Sequence, residues 1–173
     1  HCIGVDLCGR RIMKKKIGYN PQVILAGRRI NDNMARYVAR ATIKRMVKNN
    51  IDVTKATVGV LGITFKENCP DIRNSKIIDV IKEFDQWGIK VVVCDPWANP
   101  EEVKDEYGIE LGLVSVEHPV DSLVVAVGHN EFRSLSAEEL RSFVRGENPV
   151  FIDVKSLFDR AEIQAQGFTV FRL

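Results

Sequence analysis

The sequence has no apolar run near the roughly 18 residues that a bilayer-crossing helix needs, and its first residues do not follow the charged-then-apolar order of a signal peptide. A cytoplasmic location with no membrane partner is the expectation. Four cysteines, Cys2, Cys8, Cys69 and Cys94, form no C-x-x-C pair, and no histidine stands at zinc-finger spacing. Reduced thiols are therefore expected, without a disulfide framework or a metal site. There is no basic tract, low-complexity segment or internal repeat, and Lys+Arg 25 against Asp+Glu 23 leaves a net charge of +2. That balance supplies no bulk field for nucleic acid. An initial methionine is also missing, and the chain, starting at His1, reads as a fragment of something longer. The dinucleotide fingerprint G-x-G-x-x-G is absent as well: Gly59 and Gly62 fall within the first expected strand. Independent dinucleotide binding is not expected.

What remains is an ordinary globular composition, 45% hydrophobic and 28% charged over 173 residues, enough for one full domain and an extra element. Asn20-Pro21 marks a helix start, Asn as N-cap and Pro at the first helical position, and nothing breaks the helix before Asn49-Asn50. About thirty residues make a rod of roughly 45 Å. Its apolar stripe changes side: Val23, Ile30, Met34, Tyr37 and Ala41 share one face, and Ala39, Ile43, Met46 and Val47 lie roughly opposite. Such a helix must touch two different partners.

Residues 51–56 read as a linker, and from Thr57 the chain alternates strands and helices at βαβ spacing. Strands are expected at 57–63, 90–94, 109–111, 123–127, 150–153 and 169–172. Helices are expected at 75–87, 100–107, 137–144 and 160–166, closed in several cases by glycine. Runs such as V-V-V-C and L-V-V-A-V are apolar without alternation, as strands covered on both faces should be. The fold class is α/β: a Rossmann-like parallel sheet with flanking helices, preceded by the long helix.

Residues 59–75, G-V-L-G-I-T-F-K-E-N-C-P-D-I-R-N-S, run from a strand through a loop holding Lys66 and Arg73 to a helix start at Ser75. Free backbone N–H groups, a helix dipole and two cations favour a bound anion there, phosphate above all. Any βα connection can carry a Lys or Arg by chance, so more is required.

The stretch F-K-E-N-C-P-D-I-R-N-S-K, residues 65–76, resembles a loop of the UDP-glucose/GDP-mannose dehydrogenase family, the nucleotide-sugar 6-dehydrogenases. The opening H-C-I-G-V-D resembles that family's catalytic-cysteine segment. Residues 18–32, G-Y-N-P-Q-V-I-L-A-G-R-R-I-N-D, are similar to the central helix on which these enzymes dimerise. The wording is nearest to the branch that oxidises UDP-N-acetylglucosamine or UDP-N-acetylgalactosamine for surface polysaccharides. The resemblance spans the chain apart from residues 7–16, where Leu7-Cys8-Gly9-Arg10-Arg11 replaces the branch's Pro-Tyr-Tyr-Leu.

The resemblance implies a division into residues 1–53, the tail of a helical dimerisation domain, and 54–173, a UDP-sugar-binding domain. It implies that Cys2 attacks the aldehyde left by a first hydride transfer to NAD, that a second transfer turns the thiohemiacetal into a thioester, and that water hydrolyses it. Thiolate sulfur suits this because it is both nucleophile and leaving group. Asp6 matches the acid that positions or activates that water. Phe65 and Lys66 match contacts to the UDP-sugar, Lys155 in D-V-K matches a later substrate cation, and Arg73 matches a contact to the NAD pyrophosphate. Arg28 and Arg29 are candidates for contact with substrate or with the facing subunit of a homodimer. The glycine-rich NAD domain would lie upstream, so no turnover is expected of these residues alone.

Cys8, Cys69 and Cys94 are read as packing or loop thiols. His129, in G-H-N-E-F, follows a strand but reads as an ordinary loop histidine, and His118 receives no role. Two rivals stay open: a non-catalytic nucleotide-sugar-binding or dimerisation module, and a Rossmann-like domain for NAD or coenzyme A.

Overall fold

A computed structural model describes residues 22–173, side chains excepted at 23–26, 28, 29, 31 and 32. Cys2, Cys8, Asp6 and the Asn20-Pro21 cap lie outside the described residues, as do the side chains of Val23, Arg28 and Arg29. The chain forms two compact units, His1–Asn33 and Met34–Leu173. The described part of the first, residues 22–33, is helical.

Helix α1 spans Gln22–Lys48. Within the second unit its Ala35, Val38, Ala39, Ile43 and Met46 are buried in a common core with residues of the β-strands and of the helix Ile77–Gln86. Each fully buried Val, Ile or Met there contributes about 1.5–3 kcal/mol relative to exposure. Ile30, Met34 and Tyr37, from the first expected stripe, are exposed, while Ala41 is buried. Val47 departs from its expected side and is exposed. Each four-residue step advances about 40° around a helix, so the row through Ala39, Ile43 and Val47 rotates out of the seam that Met46 still occupies. Arg45 lies over the Phe171 ring at 3.9 Å, and Tyr37 meets that ring edge-on.

The sheet has five parallel strands in the order β2-β1-β3-β4-β5: β1 Thr57–Leu61, β2 Lys90–Cys94, β3 Ser122–Val125, β4 Val150–Asp153 and β5 Thr169–Arg172. The helices are α2 Ile77–Gln86, α3 Pro100–Tyr107, α4 Asn130–Arg133, α5 Ala137–Ser142 and α6 Arg160–Ala165. Val58, Val60, Val124 and Ile152 face the core shared with α1, α2 and α3; Leu61, Leu123, Val125 and Phe151 face the opposite core with α5 and α6. Apolar side chains on both faces explain the unalternating strands.

Several boundaries differ from the sequence reading, each for a local reason. The expected strand at 109–111 shrinks to a bridge between Leu111 and Val93. The chain touches only the outer edge of β2, and Gly112 N–H closes onto Val93 C=O before it turns away. Strand β1 stops at Leu61 because Gly62 adopts φ +96, so Gly62 lies past the strand rather than in it. Strand β3 stops at Val125 because the N–H groups of Ala126 and Val127 both converge on Leu61 C=O. Helix α2 begins two residues after Ser75, whose Oγ accepts the Ile77 N–H at 3.3 Å. The one-turn α4 was not expected. Elsewhere the ends are set by local chemistry: Asn99 caps α3 with Pro100 next and Gly108 closing it, and Ser136 forms a capping box with Glu139.

Candidate functional site

Parallel pairing sets Leu61 beside Cys94 on one side and Val125 on the other, with Asp153 next to Val125, so the segments after β1, β2, β3 and β4 all leave one edge of the sheet. In open α/β sheets this carboxyl edge is where ligands bind.

A fully buried polar knot ties three of these segments together. Asp95, just past β2, accepts hydrogen bonds at Oδ2 from Ile63 N (2.7 Å) and Thr64 N (3.0 Å), and at Oδ1 from Trp97 N (2.8 Å) and Ala98 N (3.1 Å). His129, past β3, places Nε2 3.2 Å from Asp95 Oδ2 and 2.9 Å from Thr64 Oγ1, while its Nδ1 accepts the Asn68 N–H at 3.0 Å. Burial pushes the Asp95 carboxyl up, but the N–H groups of Ile63, Trp97 and Thr64 and the nearby His129 outweigh it, and the net shift is downward. Trp97 lies parallel to the His129 ring and Phe132 meets it edge-on.

The knot carries the loop with Phe65 and Lys66, both exposed. Phe65 N–H closes the loop onto Asp71 C=O at 2.7 Å, and Tyr107 Oη donates to Ile72 C=O at 3.1 Å. On the far side of β3, Asp153 does for β4 what Asp95 does for β2. Its buried carboxylate accepts the N–H groups of Lys155 (3.2 Å) and Phe158 (3.0 Å), leaving the Lys155 side chain exposed. Two strand spacings, about 10 Å, separate the β1 and β4 ends. Among the described residues neither Lys66 nor Lys155 enters a salt bridge.

Arg73 is differently placed. Its Nε and Nη2 donate to Asp71 Oδ1 and Oδ2, each at 2.9 Å, in an exposed bidentate pair. Those bonds, with Lys66 adding a smaller attraction, hold the Asp71 carboxyl down to about 2. A hollow of about 390 Å³ beside it is lined by Arg73, Ser75, Lys76, Lys82 and Tyr107. A larger hollow, about 510 Å³, opens among Asn49, Lys55, Asp121, Arg145 and Pro149. It lies by the strand starts, where Asp121 accepts the Thr57 N–H and a bidentate Arg145, and is set aside as a ligand site on that ground.

Only Gly62 stands at the β1 turn, and Asp95, where a ribose-binding acid would sit, is already occupied by five hydrogen bonds. Burial raises the Cys94 thiol, consistent with its reading as a packing residue. Among the described residues no group of three or more His, Cys, Asp or Glu gathers as a metal ion would need. What the edge offers is cations and an aromatic ring on anchored loops. The sequence reading missed the His129 node; the one signal for it is a histidine in G-H-N-E-F directly after a wholly apolar strand, where burial demands partners.

Comparison with known proteins agrees with this geometry. The UDP-binding domain of the UDP-glucose/GDP-mannose dehydrogenase family matches residues 59–160. The chain is 48% identical over 156 residues to UDP-N-acetyl-D-glucosamine 6-dehydrogenase of Salmonella typhi, covering 90% of this chain and 36% of that one. It is 43% identical to the enzyme of the same name from Pseudomonas aeruginosa, covering 92% and 37%. A crystal structure of NDP-N-acetyl-D-galactosaminuronic acid dehydrogenase from Methanosarcina mazei superposes with a TM-score of 0.81 at 23% identity, over 95% of this chain and 34% of that one. That likeness shows the fold. The chain thus spans a little over a third of the length of the curated relatives it matches.

Proposed function

Because the chain belongs to the UDP-glucose/GDP-mannose dehydrogenase family, by a match covering more than half of it at residues 59–160, we propose that its sheet edge holds the UDP-sugar of a nucleotide-sugar 6-dehydrogenase. The observation that carries this reading is the pair of exposed cations, Lys66 and Lys155, each free of salt bridges among the described residues and each set on a loop anchored by a buried aspartate. Lys66 and Lys155 meet the diphosphate or sugar oxygens, and Phe65 packs on the ligand. The names of the relatives at 48% and 43% identity make a UDP-N-acetylhexosamine the favoured substrate.

In the same reading, residues 1–53 belong to the helical dimerisation domain and 54–173 to the sugar-nucleotide domain. Cys2 is the nucleophile that forms the thiohemiacetal and then the thioester, Asp6 serves the hydrolytic water, and the product is a C6 carboxylate for surface polysaccharide precursors. NAD would accept the hydrides; of the described residues only Arg73 is assigned to it, and it must first leave Asp71. Arg28 and Arg29 are assigned to contact with substrate or with a second subunit of a cytoplasmic homodimer. Without a dinucleotide fingerprint, the 173 residues alone bind UDP-sugar but do not oxidise it.

Titration calorimetry with UDP, NAD and coenzyme A is the direct test, and UDP should bind best. Preferential binding of either cofactor, or none of UDP, would refute the proposal. Replacing Cys2 by Ser in a chain that includes an NAD domain should abolish product while retaining UDP-sugar binding; unchanged turnover would leave a binding module as the better description.

A further inference from the structure

We propose that His129 is a positioning residue for the substrate-gripping loop, stapling the backbone on both sides of Glu67 so that Phe65 and Lys66 are held ready for ligand. This rests on the reading of those two residues as UDP-sugar contacts.

The hydrogen-bond directions define the staple. Asn68 N–H points at Nδ1, so that nitrogen accepts and the ring hydrogen sits on Nε2. Nε2–H is then shared between Asp95 Oδ2 and Thr64 Oγ1. With its lone pair engaged, the Thr64 hydroxyl donates onward to Lys66 C=O at 3.3 Å. One chain therefore runs from Asn68 N–H through the imidazole and the Thr64 hydroxyl to Lys66 C=O, closing a ring across the loop tip. Asp95 fixes its entrance by taking the N–H groups of Ile63 and Thr64. The exit is fixed by Asn68 Oδ1, which accepts the Asn130 N–H at 3.0 Å.

Two further features bear on how the loop is held. Asn68 sits at φ +52, a left-handed conformation that asparagine adopts more readily than most residues, and there both its N–H and its side-chain oxygen are engaged. His129 is completely buried, and its two ring nitrogens serve backbone and side chains of two other strand ends. Burial demands partners for both ring nitrogens, and here both are drawn from the segments that follow β1 and β2, so that satisfying the ring ties the loop down. Ordering the loop before ligand arrives removes an entropy cost from binding, and this is how a buried side chain acts on affinity without touching ligand.

Three variants test the staple, read by UDP calorimetry and by hydrogen exchange at the Asn68 amide. His129→Phe removes both ring nitrogens and should weaken UDP binding by about tenfold or more, with Asn68 exchanging at least about tenfold faster. His129→Asn places an acceptor where Nδ1 stood, so Asn68 protection should be largely restored and affinity should fall between. Thr64→Val cuts the link to Lys66 C=O and the hydroxyl's share of Nε2–H, leaving Asp95 Oδ2 to hold the ring, and should cost about threefold to tenfold in affinity while Asn68 stays protected. Leu140→Ala, a fully buried residue of α5 in the opposite core, controls for lost stability and should leave UDP affinity unchanged. Should His129→Phe fail to fold, His129→Asn and Thr64→Val carry the test.

Wild-type affinity and exchange in the folded variants would overturn the staple. So would affinity losses that simply follow melting temperature, with Leu140→Ala losing as much as Thr64→Val. Absence of UDP binding in the wild type, with Asn68 exchange still responding as stated, would instead sink the proposed function and leave the loop tether standing.

Discussion

Arg40 on α1 places Nε 3.2 Å from Oε1 of Glu83 on α2, and Glu83 is buried while Arg40 is mostly exposed. Arg36 approaches the other carboxylate oxygen at 3.7 Å. A carboxylate in that position is tolerable only with a cation beside it. The pair therefore fixes how the second half of α1 lies on the sheet domain, beside the apolar seam of Val38, Ile43 and Met46. Arg40→Met should destabilise by about 1–2 kcal/mol, leaving Glu83 with the more distant Arg36, whereas Glu83→Gln, which removes the buried charge, should cost less. Urea unfolding of the two variants and their combination gives the coupling. A larger loss from Glu83→Gln would show the carboxylate to be serving something else.

The Asp71–Arg73 pair makes a prediction about pH. The Arg73 hydrogen bonds depress the folded-state value of Asp71 to about 2, below the ordinary carboxylate near 4. The stabilisation is thus fully present above about pH 4 and lost as pH falls toward 2. Asp71 is only partly buried and its partner Arg73 is exposed, so the effect on folding is small and salt-sensitive. Carboxyl carbon NMR should report Asp71 titrating near 2, returning toward 4 in Arg73→Gln. A wild-type Asp71 titrating at 4 would mean that the guanidinium already points elsewhere in solution, free for another anion.

Gly62 controls where β1 ends. Its φ is +96, and a Cβ added there would lie 2.5 Å from Val127 Cβ. Gly62→Ala therefore adds backbone strain to a clash with packed side-chain and backbone atoms, and should cost on the order of 2–4 kcal/mol. Adding Val127→Ala removes Cγ2 but keeps the Cβ and backbone N that lie within 2.9 Å, so it should recover little of that loss. Thermal unfolding of the single and double variants checks this; full recovery in the double variant would mean that neither the remaining contacts nor the backbone strain matters.

Much of this molecule was legible before it was folded. Asn99-Pro100 to Gly108 and Ser136 with Glu139 are local chemistry, so the starts of α3 and α5 were readable. Apolar runs announced a two-sided parallel sheet. Termination was harder. Whether β3 ends at Val125 or Val127 depends on Leu61 C=O receiving two N–H groups from across the sheet, a long-range fact that periodicity does not carry. His129 shows the same limit from the functional side: its partners Thr64, Asn68 and Asp95 lie 34 to 65 residues away, and no spacing rule links them.

The last prediction concerns what the two lysines grip. Lys66 and Lys155 present compact charges on exposed stems, on loops that leave strand ends about two strand spacings apart, with no carboxylate claiming either as a salt-bridge partner among the described residues. If their ligand is the diphosphate, removing one charge should weaken UDP binding by roughly 10- to 100-fold, the range of one charge-assisted hydrogen bond. Uridine, which has no phosphate, should bind Lys66→Ala and Lys155→Ala as it binds the wild type. The wild-type preference for UDP over uridine should also shrink as salt rises, because the contributing charges are exposed. Equal losses for UDP and uridine would assign the lysines to loop structure instead. A loss confined to the intact UDP-sugar, with UDP unaffected, would move the lysine concerned from the diphosphate to the sugar.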